Sequence, residues 1–171
     1  MTSTRLARNT GLGLPAPNGA SVVISDNPEL TSISGLGGLV TGSGITVTGN
    51  AALTTFEAFA ELEDVQNLTL AANLLLESVE LPALTDAASI NVTTNDALES
   101  IGLPALTTAG GITIASNMAL TDLGTLEALT DVDSLLIAGN PMLPQCFVDA
   151  LDARLQACTA CQGNDATAVC N

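Results

Sequence analysis

Four cysteines carry the most reactive side chains of this 171-residue chain, and all of them lie near its C-terminal end: Cys146, Cys158, Cys161 and Cys170. Such a cluster can form disulfides, hold zinc through thiolates, or act as a redox pair through Cys158-Thr-Ala-Cys161. A four-cysteine zinc site normally has two close pairs, whereas this cluster has one. The close pair also lacks the strand-to-helix context of a redox motif. We therefore expect two disulfides, which implies an oxidising compartment.

Carboxylates are the other groups able to do chemistry. The chain has 18 Asp and Glu, three basic residues and no histidine, for a formal net charge of −15. Without histidine, no ordinary catalytic triad or imidazole metal site forms. Glu61, Glu63 and Asp64, and separately Asp131 and Asp133, are candidate calcium ligands, although neither group matches an EF-hand loop. The sequence thus predicts a protein that is not an enzyme and has no cofactor; calcium at these carboxylates and zinc at the cysteines are the alternatives.

The charge balance also restricts the class of partner. The chain has no lysine, and no basic residue occurs between Asn9 and Ala153. Nucleic acids and anionic lipids need Lys or Arg to neutralise phosphate, so neither is an expected partner. No stretch approaches the length of about 18 apolar residues that a transmembrane segment needs. The expected partners are therefore a protein or cell-surface ligand, or copies of the chain itself.

These chemical groups must be positioned by repeated elements, because asparagine recurs at a nearly constant step of about 22–23 residues. The six repeated residues are Asn27, Asn50, Asn73, Asn95, Asn117 and Asn140. A fixed period of this size predicts a solenoid of stacked coils. An apolar-x-apolar pair before each asparagine predicts one parallel strand per coil. The asparagines are predicted to turn inward after the strand and to form a structural ladder by satisfying backbone groups.

The repeat resembles the leucine-rich repeat, with its motif L-x-x-L-x-L-x-x-N-x-L. Ile112-Thr113-Ile114-Ala115-Ser116-Asn117 shows the L-x-L-x-x-N part. The next leucine follows asparagine by three positions rather than two, as in Gly139-Asn140-Pro141-Met142-Leu143. This variant is similar to the receptor L-domain branch. The resemblance implies a β-helix of parallel coils of about 22–23 residues each, which serves as a secreted or surface-displayed binding module.

The period divides the chain into three predicted parts. Residues 1–20 are expected to be a linker or leader remnant, 21–143 a six-coil solenoid and 144–171 a cysteine-rich cap. The steps after Asn73 and Asn95 are one position shorter than the others. We expect those two coils to be shortened at the back, because a length change there leaves the parallel ladder in register.

A cap is needed at the end of the stack, because the last coil would otherwise expose its apolar face and its strand edge. A short capping helix is predicted from Gln145 to Ala157. Phe147, Leu151 and Leu155 are expected on the face that packs over the end of the stack.

The order of the cysteines leaves three disulfide pairings open. We favour Cys146–Cys170 with Cys158–Cys161, because Cys146 leads the helix and Cys170 lies at the chain end. This layout resembles the C-terminal caps of secreted bacterial repeat proteins. Together with the disulfides it predicts a secreted or cell-surface protein.

The outward positions of the strands form the predicted binding face. Its residues are small and uncharged: Thr46, Thr48, Thr69, Ala71, Asn91, Thr93, Thr113 and Ala115. The expected function is non-catalytic recognition or adhesion through this face. One alternative is a self-assembling filament or surface-layer subunit, since uncharged parallel ladders tend to associate. A second is an ice-binding protein, because Thr46-Val47-Thr48 resembles the T-x-T ranks of β-solenoid antifreeze proteins.

Overall fold

The structure is a computed structural model and describes residues 19–124 and 126–168. Of the predicted N-terminal segment, residues 1–18 therefore lie outside the described residues. In chain order, the elements are β1 (Ala20–Ser25), β2 (Ser32–Ile33), β3 (Thr41–Thr48), β4 (Thr55–Phe56), β5 (Asp64–Ala71), β6 (Ser78–Glu80), β7 (Asp86–Thr93), β8 (Ser100–Gly102), β9 (Thr108–Ala115), a 3-10 turn (Leu126–Ala128), β10 (Asp131–Ala138), α1 (Gln145–Leu155) and β11 (Cys158–Ala160).

The long strands form one parallel sheet in the order β1-β3-β5-β7-β9-β10-β11, and the short strands pair as β2-β4 and β6-β8. Each coil thus contributes one long strand to a continuous sheet. The apolar pairs stack in register, for example Leu68 beside Ile90 and Ile90 beside Ile112. The predicted fold class, a solenoid of parallel β coils with a short C-terminal helix, is confirmed.

Two turns close each coil. After the long strand, the amide of the third residue past asparagine donates to the asparagine carbonyl, as from Leu76 to Asn73 at 3.1 Å. This tight turn explains why leucine follows asparagine by three positions. Pro28 and Pro141 occupy its second position, where the fixed φ of proline is favoured. The second turn lies at the back of the coil, as from Leu84 to Leu81 at 3.3 Å.

The coils that follow Asn73 and Asn95 are shortened between the short strand and this second turn. Val79 and Leu81 are separated by two steps, whereas Phe56 and Phe59 are separated by three. The long sheet keeps its register across the shorter coil, with Leu68 paired to Ile90. The length change therefore lies at the back of the coil, where the parallel ladder does not have to slip.

One apolar core runs through the stack, and the acids avoid it. Among the described residues, the buried polar side chains are the six repeated asparagines, and no Asp or Glu is buried. An unpaired buried carboxylate is costly, which explains its absence from the inward positions.

The cap differs in detail from the predicted helix. Helix α1 ends at Leu155 rather than Ala157, because Gln156 adopts a left-handed conformation with φ of 53°. Its buried side chains are Val148 and Leu151, whereas Phe147 is 49% exposed. The prediction that Phe147 packs on the stack was therefore wrong. The helix is rotated so that the neighbouring Val148 meets the core instead.

The cysteines hold this cap together. Cys158 and Cys161 form a disulfide with a Cα–Cα distance of 5.9 Å. Cys146 is also disulfide-bonded, and its predicted partner, Cys170, lies outside the described residues. Strand β11 begins at Cys158 and pairs in parallel with β10, so the cap covers the edge of the last full-length strand.

Candidate functional site

The outward positions of β1, β3, β5, β7, β9 and β10 form three ranks, which we call the strand face. The ranks are Ser21, Gly44, Asn67, Ser89, Gly111 and Ser134; Val23, Thr46, Thr69, Asn91, Thr113 and Leu136; and Ser25, Thr48, Ala71, Thr93, Ala115 and Ala138. All of the predicted binding-face residues lie in the second and third ranks. No member of the three ranks carries a charge.

The second rank is held in register by the backbone. Thr46 pairs with Thr69, and Asn91 pairs with Thr113. The Asn91 amide donates to the hydroxyl of Ser89 in its own strand at 3.0 Å, so its orientation is set within the face. Side chains of this rank are half-buried between their neighbours. The face is therefore an ordered surface that loses little conformational entropy when a ligand binds.

The side-chain amides of the repeated asparagines are hydrogen-bonded in the core below this face. The Oδ1 of Asn73 accepts from the backbone amide of Asn50 at 3.2 Å, and its Nδ2 donates to the Val47 carbonyl at 2.9 Å. The same pattern recurs at Asn95, where Oδ1 accepts from Asn73 and Nδ2 donates to Leu70. Among the described residues, no buried side-chain nitrogen or oxygen lacks a hydrogen-bond partner. These asparagines form the frame of the solenoid.

A seventh asparagine, which was not predicted from the sequence, continues the ladder into the cap. Asn140 donates its backbone amide to Asn164 Oδ1 at 3.3 Å, and Asn164 Nδ2 donates to the Ile137 carbonyl at 3.0 Å. The Asn164 amide also donates to Gln145 Oε1 at 3.1 Å, so a glutamine of α1 ends the ladder. The available signal was the Gly163-Asn164 dipeptide, since Gly139-Asn140 precedes it by one period.

Acidic side chains border the strand face where the long strands begin. Asp64, Asp86, Asp131 and Asp133, here called the acidic rim, line a shallow depression of about 320 Å³. The hydroxyl of Thr108 donates to the Asp86 carboxylate and lowers the pKa of Asp86, with a smaller contribution from Thr85.

Asp64 lines the same depression as Asp131 and Asp133, which belong to the other candidate calcium group of the sequence. The strand register places Asp86 and Thr108 between Asp64 and Asp131, so Asp64 lies about 14 Å from Asp131. Glu61 and Glu63 do not line the depression. Within the described part of the chain, no three His, Cys, Asp or Glu side chains are arranged to hold a metal ion.

Large apolar side chains border the opposite end of the strand face, where the strands end. Leu74, Leu75, Met118 and Met142 are each between 43% and 54% exposed, and we call them the apolar ridge. They occupy the first and second positions after Asn73, Asn117 and Asn140. The ridge was not predicted from the sequence, although its position relative to the asparagines was visible there.

Comparison with protein-family models, curated proteins and solved structures found no match to this chain. Within residues 19–124 and 126–168, no helix is long and apolar enough to cross a membrane. Function is therefore inferred from the geometry of the strand face and its borders.

Proposed function

We propose that the protein is a non-catalytic recognition or adhesion module that acts outside the cell or at the cell surface and binds through the strand face. The observation that carries the proposal is the exclusion of charge from this face in a protein of net charge −15. The centres of protein interfaces are likewise depleted of charged residues. The resemblance of the repeats to the receptor L-domain type of leucine-rich repeat supports the same class of function.

A disulfide in the cap supports the extracellular location. Bonds such as that between Cys158 and Cys161 persist in oxidising compartments and are rare in the cytosol. Catalysis is not part of the proposal, because the strand face offers hydroxyl, amide and methyl groups without a histidine or carboxylate to activate them.

Binding to surface extracts tests the proposal. We expect the double variant Thr46→Lys and Thr113→Lys to bind at least about tenfold more weakly, since two cations would need burial at the centre of the contact. The matched control is Ser34→Lys with Ser78→Lys, two exposed positions away from the strand face. Equal binding by both double variants would contradict a role for the face.

Self-assembly through the same face is a second candidate, supported by the apolar side chains of Val23 and Leu136 at the two ends of the second rank. Light scattering at rising protein concentration tests it. A chain that stays monomeric at high concentration rules out this candidate.

Ice binding is a third candidate, supported by the direct pairing of Thr46 with Thr69 and of Asn91 with Thr113. Parallel strands repeat about every 4.8 Å, so these polar groups form a regular array. Thermal hysteresis of the parent protein, lost in the Thr46→Lys and Thr113→Lys variant, is the expected result. Absence of hysteresis in the parent excludes it.

A further inference from the structure

The apolar ridge lies along one edge of the strand face and is interrupted at the turn after β7, where Asp96 and Ala97 occupy the corresponding positions. Its residues lie in the turns that directly follow β5, β9 and β10, and neighbouring turns are stacked by hydrogen bonds from Ala97 to Leu74 at 3.2 Å and from Ala119 to Asp96 at 3.1 Å. Adjacent exposed large apolar side chains mark interaction sites on soluble proteins. Two of the four are methionines, whose flexible side chains adapt to a partner.

The strand face by itself is small for a stable interface. Six strands about 4.8 Å apart, with three ranks about 6.6 Å apart along each strand, span roughly 24 by 13 Å. A standard interface buries about 800 Å² on each partner, which is more than this rectangle provides. A partner bound with useful affinity therefore extends beyond the strand face, onto the ridge, the acidic rim or both.

The acidic rim specifies the charge of that partner. Arg154 is the single basic residue within 19–168, and its guanidinium donates to the carbonyls of Leu126 and Leu129. The rim carboxylates are thus not neutralised by a basic side chain of the described residues. A second copy of the chain, which also carries a net charge of −15, is electrostatically disfavoured there.

We propose that the partner is a basic, amphipathic polypeptide that lies along the strands, with apolar side chains on the ridge and Lys or Arg side chains at the acidic rim. This inference rests on the proposed recognition function and names its class of ligand. The two borders lie at opposite ends of long strands such as Asp64–Ala71, so they are about 25 Å apart. That separation requires the apolar and basic parts of the ligand to be segregated along its length.

A synthetic peptide with leucine and serine in one half and lysine and serine in the other is the probe. A scrambled peptide of identical composition is its control. Calorimetry at about 150 mM NaCl, where charge interactions beyond about 8 Å are screened, compares the two. We expect the segregated peptide to bind at least about tenfold more tightly. Equal affinities would overturn the proposed ligand class.

Two matched sets of variants locate the contact. The triple variant with Asp64→Asn, Asp131→Asn and Asp133→Asn should bind the segregated peptide about tenfold more weakly, because three charge pairs are lost. Glu57→Gln, Glu77→Gln and Glu99→Gln remove the same charge from exposed positions on the short-strand side and should have little effect. An equal loss of affinity in both triple variants would mean that the peptide responds only to the net charge of the protein, which would contradict the proposal.

The ridge is tested separately. The double variant with Leu75→Ser and Met142→Ser should also bind the peptide about tenfold more weakly, because two half-exposed apolar side chains that contact it are lost. Phe147→Ser, a half-exposed residue of the cap, is the control and should bind as the parent does. Thermal unfolding of every variant verifies that it is folded. Unchanged binding by the ridge variant would contradict the proposed apolar contact.

Failure of this inference is distinguishable from failure of the proposed function. Loss of surface binding in Thr46→Lys with Thr113→Lys, but not in the rim or ridge variants, would leave the strand face as the site and reject the basic amphipathic ligand. Surface binding that survives in all of these variants would reject both.

Discussion

The residue before each asparagine of the ladder adopts a left-handed conformation, whatever its type. Gly49, Gly139 and Gly163 do so freely, with φ between 67° and 79°. Ala72 and Thr94 reach φ of 56° and 57°, where a Cβ atom is crowded by the following carbonyl. The repeat imposes this bend because the asparagine must enter the core directly after the strand.

Thr94→Gly is therefore expected to stabilise the protein. Removing the Cβ atom relieves about 1–2 kcal/mol of strain at this left-handed position. The greater conformational freedom of glycine in the unfolded chain reduces that gain by about 0.5–1 kcal/mol. The net gain in unfolding free energy, measured with urea, should be about 0.5–1 kcal/mol.

The reverse change, Gly139→Thr, is the control and should destabilise the protein. A Cβ at this position would meet Ser116 Oγ at 3.7 Å, an ordinary contact, so the loss would come from the backbone conformation. A lower stability of Thr94→Gly than of the parent would contradict this account.

The buried asparagines differ energetically from asparagines on the surface of the same solenoid. Asn95→Ala leaves the amide of Asn73 and the carbonyl of Leu70 without their partners in the core. We expect a loss of about 3–5 kcal/mol in unfolding free energy, because each unsatisfied buried group costs about 1–3 kcal/mol.

Asn91→Ala, in the outward second rank of the same coil, is the matched control. Its amide bonds Ser89 at a half-buried site, so the loss should be only about 0.5 kcal/mol. Similar destabilisation by the two changes would show that the ladder has no special role.

At the scale of elements, the cap replaces the hydrogen-bond donors of a missing coil. Within the stack, the amide of Thr130 donates to the Thr107 carbonyl of the preceding coil at 3.0 Å. At the end of the stack, the Arg154 guanidinium donates to the carbonyls of Leu126 and Leu129 instead. The cap also supplies the acceptors that end the asparagine ladder: Asn164 Oδ1 accepts from Asn140 Nδ2 at 3.2 Å, and Gln145 Oε1 accepts from Asn164 Nδ2 at 3.1 Å.

Arg154→Met should therefore loosen the cap, even though its apolar stem is retained. We expect a loss of about 2 kcal/mol, as for hydrogen bonds that involve a charged group. Amides that donate to the cap, Leu135 to Ala157 and Gly139 to Gln162, should exchange with solvent faster.

Arg154→Lys keeps the charge but lacks the planar fork of donors, so its stability should fall between those of the parent and Arg154→Met. Unchanged exchange at Leu135 and Gly139 in Arg154→Met would contradict the capping role.

At the scale of the whole molecule, the negative charge lies outside the strand face. The 18 acids outnumber the three basic residues, and the compact state confines their mutual repulsion. Stability is therefore expected to depend on ionic strength more than in a protein of balanced charge.

Raising NaCl from about 20 to about 300 mM should increase the melting temperature by about 3–6 °C, since screening removes roughly 1–2 kcal/mol of repulsion. The increase should shrink in the Glu57→Gln, Glu77→Gln and Glu99→Gln variant, which has three fewer charges. A melting temperature that falls with salt in the parent would contradict the repulsion account. An additional rise with CaCl₂ but not MgCl₂, at matched ionic strength, would identify a calcium site.

The sequence determined the solenoid because each coil must bury the same positions. An Asp or Glu at an inward position would lower the stability by on the order of several kcal/mol. The positions of the acids and of the apolar residues within each repeat therefore together identified the inward residues. The number of coils, the strand positions and the place of the shortened coils follow from that constraint. The outward positions, including Thr46 and Thr113, follow from strand alternation.

The tertiary structure decided the features that depend on how elements meet. Phe147 turned out to be exposed because the rotation of α1 on the stack is set by packing, and the helical period alone cannot choose between Phe147 and Val148. The sequence pattern does not mark Asn164, because the strand before it, Cys158–Ala160, lacks the apolar pair of the other coils. Asp64 and Asp131 share one rim, and Leu75 and Met142 share one ridge, only because the coils stack about 4.8 Å apart. Stacking places residues that are distant in the sequence along the same edge of the solenoid.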